Sequence, residues 1–159
     1  MIGFVIIMQK KIIIDTDPGQ DDAVAILLAL ASPNELNCLG ITTVAGNVPL
    51  NLTSKNARII CELAGRSELK VFAGSESPMF RPLITAEHVH GKTGLDGPIL
   101  PQPQMSLQDK NGVDFLIETL ESHEPGSITL CCLGPLTNIA IAIDKAPEII
   151  TRAKEIVMM

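Results

Sequence analysis

Asp15, Asp17, Asp21 and Asp22 place four carboxylates within eight residues, in the stretch Asp15-Thr16-Asp17-Pro18-Gly19-Gln20-Asp21-Asp22. Pro18 fixes its own φ and biases Asp17 away from the helical region, while Gly19 permits a tight turn. Asp17 and Asp22 can therefore converge. Carboxylates brought together repel unless a positive charge neutralises them. A hard divalent cation does this best: calcium and magnesium prefer carboxylate and carbonyl oxygen, and no Cys or His lies beside the cluster to argue for zinc. Such a cation also acidifies water. The alternative is helix capping, in which Asp21 and Asp22 only sit at the start of the next helix. Capping accounts for one or two acids but poorly for four around Pro-Gly.

The elements that must position the cluster follow from apolar patterning. Lys11 to Asp15 reads as a first strand, and Asp21 to Ala31, apolar all round, as a helix buried against a sheet and ended by Ser32-Pro33-Asn34. Cys38 to Ala45, rich in Ile, Thr and Val, reads as a second strand. Leu50 to Leu63 reads as a helix closed by Gly65, and Lys70 to Ala73 as a third strand. Residues 74–111 carry many Pro, Gly and polar residues without a sustained period, the mark of a long functional excursion. A helix from about Val113 to Ser122, a fourth strand from Ser127 to Leu133, a helix to Lys145, a short helix opened by Pro147 and a fifth strand over Glu155–Met159 complete the chain. Strands alternating with helices predict an α/β domain, a Rossmann-like and mostly parallel sheet flanked by helices. The acidic cluster then lies at the carboxyl end of the first strand, where open α/β sheets bind ligands.

Composition narrows the classes. The chain has 159 residues, enough for one domain, and a mean hydropathy of +0.30 with 3% aromatic residues, so Ile, Leu, Val and Ala must build the core. A net charge of -6 without a Lys/Arg run argues against binding a nucleic acid polymer. Cys38, Cys61, Cys131 and Cys132 show no CxxC spacing and read as reduced, structural residues in a cytoplasmic protein. The apolar start, Met1 to Met8, lacks a positive n-region and a cleavage site and is too short to span a bilayer, so residues 1–9 read as an N-terminal extension and no membrane is a partner.

Asp-Thr-Asp-Pro-Gly-x-Asp-Asp-Ala, residues 15–23, resembles the signature of the inosine-uridine preferring nucleoside hydrolases. Thr42-Thr43-Val44-Ala45-Gly46-Asn47, His90-Gly91-Lys92-Thr93-Gly94-Leu95 and Leu133-Gly134-Pro135-Leu136-Thr137-Asn138 resemble further segments of that family in order and spacing. The resemblance covers essentially the whole chain. It implies the nucleoside hydrolase fold, truncated after about the fifth strand, with residues 1–159 as the N-terminal portion of one domain. It also implies hydrolysis of the N-glycosidic bond of a ribonucleoside to free base and ribose, as in purine and pyrimidine salvage, with calcium as cofactor and a homodimer or homotetramer as the assembly. Asp17 and Asp22 would be calcium ligands, joined by the backbone carbonyl of Leu133. Asp17 would also take the proton of the attacking water, Asp21 and Asn47 would bind ribose hydroxyls, His90 would sit near the substrate, and Asp15 would orient the cluster from behind.

The family's later segments, which supply another calcium ligand and the leaving-group acid, have no counterpart in these residues. The chain alone is therefore expected to be a weak or inactive hydrolase with an incomplete calcium sphere and an exposed sheet edge. His88 and His90 flank Val89 on what reads as an extended stretch that could face both the same way, as an occasional metal pair does; His90 reads rather as part of a substrate-facing loop and His88 as an ordinary solvated residue. His123 reads as a surface residue, Thr137-Asn138 either as a helix start or as functional, and Met158-Met159 as buried strand residues. Two other functions fit parts of the pattern: a haloacid-dehalogenase-type phosphatase using Asp15-Thr16-Asp17, and a non-catalytic truncated fragment that binds a nucleoside or a partner. A dinucleotide-binding module is disfavoured, since no GxGxxG follows the first strand.

Overall fold

The computed structural model describes residues 9–97 and 99–159, so the N-terminal extension up to Met8 lies outside the described residues. Strand β1 (Lys10–Thr16) leads through the acidic turn to helix α1 (Gln20–Leu30), then β2 (Leu36–Thr43), α2 (Leu50–Leu63) and β3 (Val71–Ala73). The long excursion contains one helical turn, α3 (Glu87–His90). It is followed by α4 (Gly112–Ser122), β4 (Ile128–Cys132), α5 (Thr137–Lys145), α6 (Ile149–Arg152) and β5 (Glu155–Met158). Asn111 starts α4 as its side chain accepts the Val113 N–H at 2.8 Å, satisfying one of the free amides of the first turn.

The five strands form one sheet in the order β3-β2-β1-β4-β5, and every pairing is parallel. The fold is thus the expected α/β arrangement. From β1 the chain winds outward to β2 and β3, then returns to the other side of β1 to add β4 and β5. The reversal puts the switch point of the sheet, where open α/β folds bind ligands, at the carboxyl end of β1.

Both faces of β1 are buried, as its unbroken apolar run requires. Ile12 and Ile14 point into a cluster with Ile26 of α1 and Ile60 of α2, while Ile13 points into the opposite cluster with Leu116 of α4 and Ile139 of α5. Each such side chain contributes roughly 2 kcal/mol by burial. The result is a stiff strand whose last residues, Asp15 and Thr16, are carried to a fixed place.

Two expectations fail at the surface. Val24 and Leu28 of α1 are exposed, although the helix reads as buried all round, and Met158 and Met159 are exposed rather than packed in the sheet. The reason is common to both. Helices α4, α5 and α6 cover one face across β4, but on the other face α1 and α2 cover only β1, β2 and β3. An apolar cavity of about 430 Å³, lined by Ala25, Ala29, Cys131, Leu133, Val157 and Met159, lies bare beside α1. Among the described residues β5 pairs with β4 alone and its other side is an open edge. The four cysteines carry free thiols.

Candidate active and metal-binding site

Asp15 and Thr16 end β1, and Asp17 follows where strand pairing stops and the chain must turn. Pro18 and Gly19 make the turn, and the side chain of Asp22 then accepts the Gly19 N–H at 3.2 Å, closing the first turn of α1. Capping is therefore real for Asp22, but it uses only part of that side chain. Asp22 Oδ1 accepts the Thr16 hydroxyl at 2.6 Å, which draws the carboxylate back over the strand end and toward Asp17.

Asp17 is almost fully buried. Asn47, in the loop after β2, donates its backbone N–H to Asp17 Oδ2 at 2.7 Å and its side-chain amide to the Asp17 carbonyl at 3.0 Å. The same amide nitrogen lies 3.4 Å from Asp22 Oδ2, so one residue touches both acids. Gly46 and Gly134 wall the carboxylate on two sides. A Cβ at Gly46 would overlap Asp17 Oδ2, and one at Gly134 would overlap Asp17 Oδ1. Both positions need the absence of a side chain.

Electrostatics mark the pair. Burial pushes the Asp17 pKa up to about 7; the Asn47 N–H opposes the shift and the charge of Asp22 adds to it. Burial also raises the Asp22 pKa, against the hydrogen bonds from Thr16 and Gly19 and with a further push from Asp21. Asp15 lies deeper still. Its Oδ1 accepts the Thr42 hydroxyl at 2.5 Å and the Asn138 amide at 2.8 Å, its Oδ2 has no partner, and burial lifts its pKa to about 6. A carboxyl so enclosed cannot act as an exposed phosphoryl acceptor, which removes the basis for the phosphatase alternative.

A hard cation fits this donor set in kind. The oxygens are carboxylate oxygens crowded at a strand end, held against mutual repulsion and starved of water. The set is partial, since among the described residues no three His, Cys, Asp or Glu side chains form a metal-ligand group. Leu133 is brought to the same strand end, its N–H on the Asp15 carbonyl at 2.8 Å.

Asp21 is more exposed and stands on the rim. His90 approaches it, with Nδ1 4.0 Å from Asp21 Oδ1 and 2.6 Å from Gln20 Oε1. His88 does not share this side. The segment is a helical turn rather than an extended stretch, so residues two apart diverge, and His88 projects to solvent. His123 caps the end of α4 away from the site, its Nδ1 2.8 Å from the Thr119 carbonyl.

Several contributors escape a reading of motifs. Thr16 and Thr42 each hold one aspartate, and Gln20 meets His90. For Asn138, left open by the sequence between a helix start and a functional role, the structure favours support of the site: its amide nitrogen donates to Asp15 Oδ1 and, at 3.0 Å, to the Thr43 carbonyl, while its oxygen accepts the Ser75 N–H at 2.8 Å. It makes no cap for α5 and instead ties the ends of β1, β2 and β3 together. The usable signal is a polar residue on the apolar face of a helix, which burial makes costly unless it is bonded.

The sequence profile of the "Inosine-uridine preferring nucleoside hydrolase" family matches residues 12–159. An uncharacterized protein of Schizosaccharomyces pombe is 58% identical over 149 residues, covering 94% of this chain and 48% of that protein. The inosine-uridine preferring nucleoside hydrolase of Crithidia fasciculata is 43% identical over 153 residues, covering 96% and 48%. Among solved structures, the purine-preferring ribonucleoside hydrolase from Gardnerella vaginalis superposes with a TM-score of 0.88 at 35% identity, over 94% of this chain and 48% of that one. Fold and site thus define an α/β protein of the nucleoside hydrolase type. The chain belongs to the inosine-uridine preferring nucleoside hydrolase family, and it spans about half the length of the relatives it matches.

Proposed function

We propose that residues 9–159 form the N-terminal half of a nucleoside hydrolase domain that cleaves the N-glycosidic bond of ribonucleosides, releasing free base and ribose. The observation that carries the reading is the buried Asp17–Asp22 pair, walled by Gly46 and Gly134 at the carboxyl end of the central strand. In this proposal Asp17 and Asp22 hold calcium with the Leu133 carbonyl. The cation, when bound, supplies the positive charge that makes water acidic at that point.

The chain's own residues do the rest of this half of the chemistry. Asp17, with its pKa near neutrality, accepts the proton of the attacking water. Asn47 aims it. Asp21 and Asn47 bind ribose hydroxyls, whose contacts strengthen as positive charge develops on the sugar ring. His90 bounds the substrate side of the pocket, and Asp15 orients the cluster from beneath. The relatives' printed names include both inosine-uridine and purine preferences, so the substrate class is set here at ribonucleosides. Four free thiols suit a reducing, cytoplasmic setting, and among the described residues no helix is long and apolar enough to cross a membrane. A homo-oligomer is the proposed assembly.

The chain alone is expected to bind calcium weakly and to turn over inosine or uridine slowly if at all, because its donor set is partial. Robust release of base by the 159-residue chain would sink that expectation. The reading itself is tested in a chimera carrying residues 10–159 in place of the matching half of the Crithidia fasciculata relative. Calcium-dependent release of base, lost with Asp17→Asn, is the expected result. A folded, calcium-binding chimera inert toward every ribonucleoside would overturn it.

A further inference from the structure

Asn56 is a polar side chain in an apolar place. It sits on the face of α2 that Ala57 and Ile60 pack into the core, and only 3% of it is exposed. Its amide nitrogen donates in two directions, to the Pro18 carbonyl at 3.1 Å and to the Thr93 carbonyl at 2.8 Å. Pro18 belongs to the acidic turn, and Thr93 to the segment that carries His90. Both amide hydrogens are thus spent on the backbone of two loops that lie far apart in sequence.

The segment from His90 to Asp96 is shaped to offer that carbonyl. The Asp96 carboxylate accepts the N–H groups of Lys92 and Thr93, each at 3.0 Å, and the Thr93 hydroxyl. Gly91 and Gly94 take positive φ of 79° and 85°, and a Cβ at Gly94 would stand 2.8 Å from Asn56 Nδ2 and 3.1 Å from the Pro18 carbonyl. Leu95 is sunk in the core beside α2. At the other end of the segment the His90 ring lies where a Gly19 Cβ would be, 2.5 Å from its Nδ1, and the Gln20 amide donates to the His90 carbonyl at 3.3 Å.

We propose that Asn56 is a positioning residue of this site: by holding the acidic turn and the His90 segment on one amide group, it sets the separation of His90 from Asp21 and so the width of the ribose-facing pocket. An apolar residue of similar size would fill the space but leave the buried Pro18 carbonyl and the half-buried Thr93 carbonyl without this donor and the loops free to part. The inference rests on the nucleoside-pocket reading above for its consequence, but not for its geometry.

The test uses the 159-residue chain with Asn56→Ala and Asn56→Asp, the latter keeping the shape and removing both donors. The chain has three histidines, so NMR resolves each ring. In both variants the His90 Cε1–H resonance should move and broaden while that of His123, on the far end of α4, stays. In the chimera described above, inosine affinity should fall about tenfold with either variant, as for loss of a group that orients ligating residues. A His90 resonance unchanged in Asn56→Asp would overturn the proposal, and so would a matching displacement of His123, which signals general loosening. If Asn56→Ala does not fold, Asp96→Ala, at an exposed residue of the same turn, takes its place with the same expected and contrary outcomes. Failure of the chimera to bind inosine would count against the pocket reading, while the histidine resonances of the 159-residue chain would still decide the role of Asn56.

Discussion

Asn47 grips Asp17 at both ends, its backbone N–H on the carboxylate at 2.7 Å and its side-chain amide on the Asp17 carbonyl at 3.0 Å. The carboxylate cannot rotate without breaking the first bond, and the turn cannot open without breaking the second. Asn47→Ala keeps the backbone bond and deletes the amide. Calcium affinity should drop about tenfold, as for loss of a residue that orients a ligand, with a stability cost of about 1 kcal/mol. Calorimetric titration and urea unfolding would read the two effects, and a calcium isotherm equal to the parent's would refute the clamp.

Gly46 and Gly134 give a steric version of the same test. In Gly46→Ala or Gly134→Ala the new methyl group meets an Asp17 oxygen, so the carboxylate must swing out of its slot. Each variant is expected to fold, with a loss of about 1–3 kcal/mol from overpacking, and to lose measurable calcium binding. Retained binding in both would show that Asp17 is not held where the two glycines place it.

The pH dependence has a definite sign. Asp17 titrates near 7 and Asp15 near 6 in the folded chain, against an ordinary 3.8. Between those values the folded chain keeps protons that the unfolded chain has released. This contribution to stability is whole below the ordinary value and is lost as pH rises through the folded one. With chelator present, the melting temperature should therefore fall between about pH 5 and about pH 7.5, less so in Asp17→Asn. Calcium demands the deprotonated form, so its stabilising effect should grow over the same interval. A calcium-induced shift equal at both ends would contradict a protonated Asp17 in the metal-free chain.

Asn138 and Thr137 are neighbours in one motif with unequal structural duties. Asn138→Ala leaves the Ser75 N–H without its partner, takes from the Thr43 carbonyl one of its two donors, the Gly74 N–H remaining, and removes one of the two donors to Asp15. A loss of about 1–3 kcal/mol is expected, chiefly from the unpaired Ser75 N–H. Thr137→Ala, whose side chain makes no cap bond, should stay within about 0.5 kcal/mol. Denaturant unfolding of the two variants separates them, and equal effects would remove Asn138 from the support of Asp15.

The order of strands and helices was legible because both signals were strong: unbroken apolar runs such as Ile12-Ile13-Ile14 cannot face water, and Pro-Gly, Gly65 and Asn111 punctuate them. The acidic turn was legible because proline and glycine constrain it locally. What could not be read was long-range: Thr42 on Asp15 and Asn56 on Thr93 depend on strand order and on where an excursion folds back. His88 is solvated as its sequence context suggests, but the helical turn that parts it from His90 was not legible, because four residues leave no period to detect. The exposed faces of α1 and β5 were misjudged because hydrophobicity states only that a residue seeks cover, not whether cover is present.

Consider finally the order in which the strands stand. β1 and β2 are separated by a single helix, but β4, which brings Gly134 and Asn138, must return across more than a hundred residues to pair with Lys11 through Asp15. Closing so long a loop against chain entropy is slow, and parallel strands offer no hairpin to start from. The acidic turn is therefore expected to form first and stand open, with the slot around Asp17 completed when β4 docks. Folding kinetics followed with calcium present should show the ion engaging in the slow phase, so that the site serves as a clock for the last step of assembly.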